Sequence, residues 1–300
     1  MRFVWGGQNS VYNALKKDNN YVIYTFDVTS PTRKKHLVID LAQENIVNVF
    51  NKKIKSGEIK KPDIIISSTL CQSFSSITSM RKDENGNKGT SGWIFKEYDE
   101  KGRKLSKPKF ILRDEKSFEK LKSGFTKHLK WKTQNFIAKL GSQCIKNTIE
   151  LIKYFKPKYW YIENPNTSRL WQYIEYCTDF FNYLKKNNMS YFFNKATYGK
   201  YGYPTAKYTY FLSNVKCEKP CLLFGTIEKP WYWSNDENGK KCMRLKATNR
   251  IIKSRIAAFG YFTKSGKQKE KISNYQTCEA GNNSLIPKKL INDIFLNFKF

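Results

Sequence analysis

Five short runs rich in β-branched and aromatic residues, Arg2–Trp5, Tyr21–Asp27, His36–Asp40, Asp63–Thr69 and Tyr159–Asn164, alternate with stretches of helical periodicity. Strand and helix in alternation predict an α/β fold with a doubly wound, mostly parallel sheet and helices on both faces. Ser10-Val11-Tyr12-Asn13-Ala14-Leu15 opens a helix with Ser10 as its N-cap. Longer helical segments cover Trp131 to Phe155 and about Ser168 to Lys186. Near the C-terminus, Pro287 to Phe298 returns to an amphipathic helix through Leu290, Ile291, Ile294 and Phe295.

Two stretches break this rhythm. Residues 76–130 form a polar, basic insertion with a hairpin-like pair around Asp99-Glu100-Lys101-Gly102; Lys101 to Lys132 alone holds 12 basic and 3 acidic residues. An internal loop of this length is usually functional or disordered. Val215 to Tyr275 carries 14 basic against 5 acidic residues and contains Trp231-Tyr232-Trp233, which marks a small lobe. The expected organisation is a main domain over 1–214, a small lobe over 215–275, and a C-terminal segment, 276–300, that rejoins the main domain. There is no internal repeat.

The chain carries 55 Lys and Arg against 25 Asp and Glu, a formal charge of +30. An excess this large points to a polyanionic partner, and nucleic acid fits best. A membrane surface is disfavoured, because the basic residues are spread along the chain and no apolar run approaches about 18 residues. The first residues start on a strand-like run rather than a secretory signal, so a cytoplasmic protein is expected. Seven scattered cysteines suit reduced thiols. Cys217, Cys221 and Cys242 lack a fourth zinc ligand nearby, since the only histidines are His36 and His128, so no metal is expected.

Open α/β sheets bind ligands beyond the carboxyl ends of their strands. There the sequence places the turn Gly6-Gly7-Gln8-Asn9-Ser10 leading into a helix, Asp27 where an acid accepts ribose hydroxyls, and Asp40 at the third strand end. Cys71 follows the fourth run in a small, polar loop beside the basic insertion, where thiolate and access are favoured. Glu163-Asn164-Pro165 follows the fifth, so a thiol and a carboxylate meet over one substrate.

Four elements in order resemble the DNA cytosine-5 methyltransferase family, especially its compact phage-type branch. Pro62 to Ser75 resembles the family's strand and Pro-Cys-Gln loop, and Glu163-Asn164-Pro165 its Glu-Asn signature. Tyr201 to Thr209 lies where the family has Gln-x-Arg-x-Arg, and Asn282-Asn283-Ser284-Leu285-Ile286-Pro287 resembles its C-terminal Gly-Asn-x-Val-Pro-Pro. The chain departs from the pattern at Leu70 for proline, which predicts a less rigid loop, at Asn9 for glycine, and at Thr205, Lys207 and Thr209 for Gln, Arg and Arg.

The resemblance implies a Rossmann-like, S-adenosylmethionine-dependent enzyme with a small DNA-recognition lobe. Cys71 adds to cytosine C6, Glu163 holds or protonates N3, Asn164 orients it, and Lys207 takes over contacts of the missing arginines. Trp5, Gly6, Gly7, Asn9 and Ser10 lie near the methionine part of the cofactor, Asp27 on the ribose, Asp40 on the adenine amine, and Asn283 with Ser284 closes the pocket. The target base is flipped out of the duplex. Gln72, Ser73, Ser75 and Thr205 contact double-stranded DNA, basic residues of 76–130 and 215–275 bind phosphates, and Trp231 and Trp233 stack or wedge. The expected enzyme is a monomer of restriction-modification type; nothing in the sequence specifies a cognate restriction endonuclease. An RNA (tRNA) methyltransferase and a methyltransferase-like DNA-binding protein without activity are the alternatives.

Overall fold

The structure, a computed structural model, describes residues 2–6, 10–27, 36–75, 79–122, 126–201, 207–217, 231–239, 241–245, 251–252, 256–257, 260–261 and 286–296. Its centre is a seven-stranded sheet of β1 (Arg2–Gly6), β2 (Tyr21–Asp27), β3 (His36–Val38), β4 (Ile64–Ser68), β8 (Tyr159–Pro165), β9 (Phe192–Thr197) and β10 (Tyr208–Ser213). The order is β3-β2-β1-β4-β8-β10-β9, with the first five strands parallel and β10 antiparallel to both neighbours. This is the doubly wound, Rossmann-like α/β architecture that the alternating runs predict. The strand order reverses between β1 and β4, which makes their carboxyl ends the topological switch point.

Burial on both faces explains why these strands read as continuous apolar runs. Alternate residues serve opposite layers. Val4, Ile23, Ile64, Ile66, Tyr159 and Tyr161 pack with helices α1 (Ser10–Leu15) and α7 (Lys288–Leu296). Trp5, Val22, Tyr24, Ile65, Trp160 and Ile162 pack on the other side with α2 (Ile46–Lys55), α4 (Trp131–Phe155), α5 (Leu170–Cys177) and α6 (Phe180–Lys186). The long helix α4 stops where Lys156 turns left-handed, at φ 46°, just before Pro157.

Three expectations are corrected. The third strand ends at Val38, because the Asp40 carboxylate accepts the Ala42 N–H (2.8 Å) and closes a turn. The helical pattern over 168–186 is two helices, since extended Thr178 (φ −127°) bonds its hydroxyl back to the Ile174 carbonyl (2.6 Å) and interrupts the ladder. The insertion is folded. It forms an antiparallel sheet of β5 (Lys88–Gly89), β6 (Trp93–Tyr98) and β7 (Lys104–Leu112), followed by helix α3 (Glu115–Leu121). Buried Arg113 ties it together by donating to the carbonyls of Thr90 (3.2 Å) and Trp93 (3.1 Å), and burial pulls its pKa down to about 10. Ser91 bonds Gln134 of α4 (2.5 Å), and Trp93 stacks on Phe74 with centroids 6.1 Å apart.

Within 215–275, expected to form a small lobe, β11 (Trp231–Asn235), β12 (Lys241–Leu245) and β13 (Ile251–Ile252) form an antiparallel sheet. Trp233 is exposed there, while the side chain of Trp231 lies outside the described residues. Among the described residues no helix is long and apolar enough to cross a membrane.

The segment after β4 rests on α4 at a glycine: a Cβ at Gly141 meets Ser73 Oγ at 1.9 Å and Ser73 Cβ at 2.4 Å. Gly141→Ala is therefore expected to destabilise the fold by about 1–3 kcal/mol, the usual cost of overpacking, read as a lower urea midpoint at unchanged slope.

Candidate active site

At the switch point the carboxyl ends of β1 to β4 open onto a cavity of about 250 Å³. Its walls are mainly apolar, with Phe26, Ile39, Phe50, Leu140 and Leu151, and Asp27 and Asp40 stand at its strand-end rim. The helix α4 presents Leu140, Cys144, Thr148 and Leu151, spaced three or four residues apart on one face. Ser67 bonds Thr148 (3.1 Å), whose hydroxyl donates to the Cys144 carbonyl (2.9 Å), which fixes this wall to β4. Burial, with Asp40 and Asp27 adding negative charge, pushes the Cys144 thiol up to about 11.

The expected cofactor residues divide. Asp27 and Asp40, expected on the ribose and the adenine amine, line the cavity. Trp5 lines it too, but its indole N–H is committed to the Lys60 carbonyl (3.1 Å) and its ring packs on Phe50 at 4.6 Å, so it is first a core residue. Gly6 ends β1, paired with Thr25 and Ile66. Ser10 begins α1, and its hydroxyl accepts the Ile286 N–H (2.8 Å); it anchors the C-terminal segment beside the first strand. Gly7, Asn9, Thr205, Asn283 and Ser284 lie outside the described residues.

Cys71 opens a 3-10 turn, Cys71–Phe74, immediately beyond β4. The turn is held from below. Ser73 is buried and donates to the Ile137 carbonyl of α4 (2.7 Å), while Phe74 is fully buried and its carbonyl accepts the Arg169 N–H (2.9 Å). Ser73, expected to contact DNA, spends its hydroxyl on docking the turn. Gln72 is exposed and Ser75 half-buried. Leu70, in place of proline, has φ −54°, inside the range a pyrrolidine ring imposes, so the backbone already holds the conformation that proline would fix.

Glu163 lies on β8, opposite Ser68 of β4 in the parallel register. It is 2 % exposed and held by three groups. The Ser68 hydroxyl donates to Oε2 (2.5 Å), the Tyr198 hydroxyl donates to Oε1 (2.9 Å), and the Lys207 Nζ stands 3.8 Å from Oε1. The same ammonium lies 4.4 Å from the centroid of the Tyr198 ring. Lys207 sits at φ 29°, and its carbonyl accepts both the Tyr198 N–H (3.3 Å) and the Thr209 hydroxyl (3.2 Å). Asn164 does not bond Glu163. Its amide donates to the carbonyl (3.2 Å) and hydroxyl (3.3 Å) of Thr69, which ties β8 to the approach of the Cys71 turn. Its own Oδ1 is buried without a partner among the described residues.

The electrostatics correct one expectation. The Cys71 thiol is raised above its ordinary range, first by burial and then by the charge of Glu163, with Lys207 pulling in the opposite direction. Thiolate is thus opposed by the carboxylate and favoured by Lys207, not by the basic insertion. Sequence reading missed Ser68, Thr69 and Tyr198, which position this cluster. Ser68 and Thr69 close a strand and read as its end, and Tyr198 is 35 residues from Glu163.

No family model and no curated protein matches this chain. Among solved structures it is similar to a protein described as a DNA modification methyltransferase encoded within an E. coli prophage (13% identity, TM-score 0.39, 76% of this chain and 52% of that one). It is also similar to Entamoeba histolytica methyltransferase EhMeth (11%, 0.39, 77% and 58%) and to S. pombe Dnmt2 methyltransferase (10%, 0.34, 76% and 53%). The chain spans a little over half the length of each.

Two outcomes follow from the turn and its charges. Iodoacetamide alkylation of Cys71 should keep accelerating above the pH where an ordinary thiol levels off. Glu163→Gln should move the profile to lower pH and Lys207→Met to higher pH; a common profile for all three proteins refutes the coupling. Leu70→Pro should fold and gain about 0.4–1 kcal/mol in chemical denaturation, because it restricts only the unfolded chain.

Proposed function

We propose that this chain is an S-adenosylmethionine-dependent cytosine-5 methyltransferase acting on double-stranded DNA. The observation that carries the reading is the pairing of Cys71, just beyond β4, with Glu163 on the adjacent parallel strand, beside a cavity at the switch point.

Cytosine C5 is a poor nucleophile until something adds to C6. The Cys71 sulfur, once its proton has left to solvent, forms a bond to C6, and the displaced π electrons collect at C5. Glu163, fixed by Ser68 and Tyr198, donates a proton to N3 and so relieves the charge gathering on the ring. With the donor bound, the electrons at C5 would take its methyl group while the donor's sulfur keeps the electron pair of the bond that breaks; loss of the C5 proton to a base then expels the Cys71 thiolate, N3 returns its proton to Glu163, and the double bond is restored. Asn164, through Thr69, holds the turn that carries the nucleophile.

The cavity suits the methyl donor by its chemistry. Apolar walls accept an adenine face, and acids at two successive strand ends suit ribose hydroxyls and an exocyclic amine. When bound, S-adenosylmethionine supplies an electrophilic methyl on a sulfonium. Asp27, Asp40 and the α4 wall hold it. The small lobe over 215–275, where Trp233 is exposed, and the basic surface serve the DNA.

Methyl transfer from labelled S-adenosylmethionine to duplex DNA, with tRNA as comparison, tests this reading. Transfer to DNA is expected; transfer to tRNA alone reassigns the substrate, and transfer to neither overturns the activity. Cys71→Ala should reduce transfer to background. Tyr198→Phe removes one hydrogen bond to a charged group, about 1.5–3 kcal/mol, and should lower kcat roughly 10- to 100-fold with KM little changed.

A further inference from the structure

We propose that the outer face of the β6–β7 hairpin is a docking ribbon for the phosphate backbone of nucleic acid, keyed mechanically to the Cys71 turn. The proposal rests on the nucleic-acid reading above and assigns that reading a surface.

The two faces of the hairpin differ in kind. Trp93 lies opposite Leu112 and Phe95 opposite Phe110, and this inner row packs on Phe74 and Tyr173. The alternate row, which faces away, pairs Ile94 with Ile111 and Lys96 with Lys109. Ile111 is 42% exposed. Lysines placed directly opposite one another repel, and a sheet that keeps such a pair loses stability unless an anion lies across it. Neither lysine is ion-paired among the described residues.

Of the hairpin's three acids none lies opposite the lysine pair. Asp99 is tied to Arg103 at 2.8 Å in the turn, Glu100 follows it there, and the charge of Glu97 acts on Tyr176 of α5, on the inner side. What remains outside is a two-stranded ribbon with paired point charges. Ammonium groups bind phosphates as point charges, and a two-stranded ribbon is narrow enough to enter a major groove.

Rigidity makes the ribbon more than a sticky patch. Phe74, stacked against Trp93, is three residues from Cys71 in the same 3-10 turn. A Cβ at Gly92 meets Ala138 Cβ at 2.6 Å and the Gln134 carbonyl at 2.8 Å, so the sheet sits directly on α4, which also carries the Cys71 turn. A phosphate fixed on Lys96 and Lys109 therefore fixes the register of the strand relative to Cys71.

The test is fluorescence anisotropy with a labelled duplex oligonucleotide and a matched RNA across a series of NaCl concentrations. The Lys96→Gln/Lys109→Gln variant should lose about 2 from the slope of log affinity against log salt, near 0.9 for each phosphate contact, while its melting temperature is equal to or above that of the parent. Lys289→Gln, on α7, should leave the slope unchanged. A parent protein that binds with a slope identical to that of the double variant overturns the ribbon and leaves the nucleic-acid reading standing. Failure of the parent to bind either nucleic acid overturns that reading and the ribbon with it.

Discussion

The arrangement of the site turns on one buried carboxylate. Removing an ionised carboxyl from water costs several kcal/mol, and the cost is tolerated only where donors and charge replace the lost solvent. Glu163 has such replacements from three separate parts of the chain: Ser68 at the end of β4, Tyr198 after β9, and Lys207 before β10. Each partner belongs to a strand end at the same edge of the sheet. The requirement to satisfy this one group therefore draws the ends of β4, β8, β9 and β10 into a common register, and Cys71 follows three residues after Ser68.

That arrangement also bears on the charge of the Cys71 thiol. Burial and the negative charge of Glu163 hold the Cys71 proton on sulfur, while Lys207 favours its release. In the proposed addition the sulfur needs to be anionic and the carboxyl needs a proton for N3.

The five parallel strands were legible because burial on both faces removes the polar alternation that blurs other strands, and each run was bounded by turn residues. The places of Asp27, Asp40, Cys71 and Glu163 at or just beyond strand ends were legible for the same reason: a doubly wound sheet fixes where strand ends meet. The antiparallel edge was not. Phe192–Thr197 and Tyr208–Ser213 mix aromatic with polar residues, Phe193 exposed and Tyr208 and Tyr210 half-buried, and give no clean period in the sequence. Pairings such as Ser68 with Glu163 across 95 residues, or Ser73 with Ile137 across 64, leave no local trace, so residues that position others were invisible. The insertion misled for a different reason: its Asp83 and Asn87 look like loop residues but bond the backbone, Asn87 accepting the N–H groups of both Glu97 and Tyr98, and so build the sheet.

Loss of the two arginines of the resembled pattern is answered by this same geometry. An arginine presents several donors on one planar fork, whereas lysine is a point charge on a flexible stem. Here the stem is constrained. Thr209, where the pattern has its second arginine, donates to the Lys207 carbonyl, and the Tyr198 N–H reaches the same oxygen. With its backbone held at φ 29° and its ammonium over the Tyr198 ring, Lys207 is directed to the Glu163 carboxylate. The charge comes from Lys207 and the directional hydrogen bond from Tyr198. The threonine that departs from the resembled pattern is the group that fixes the backbone of Lys207.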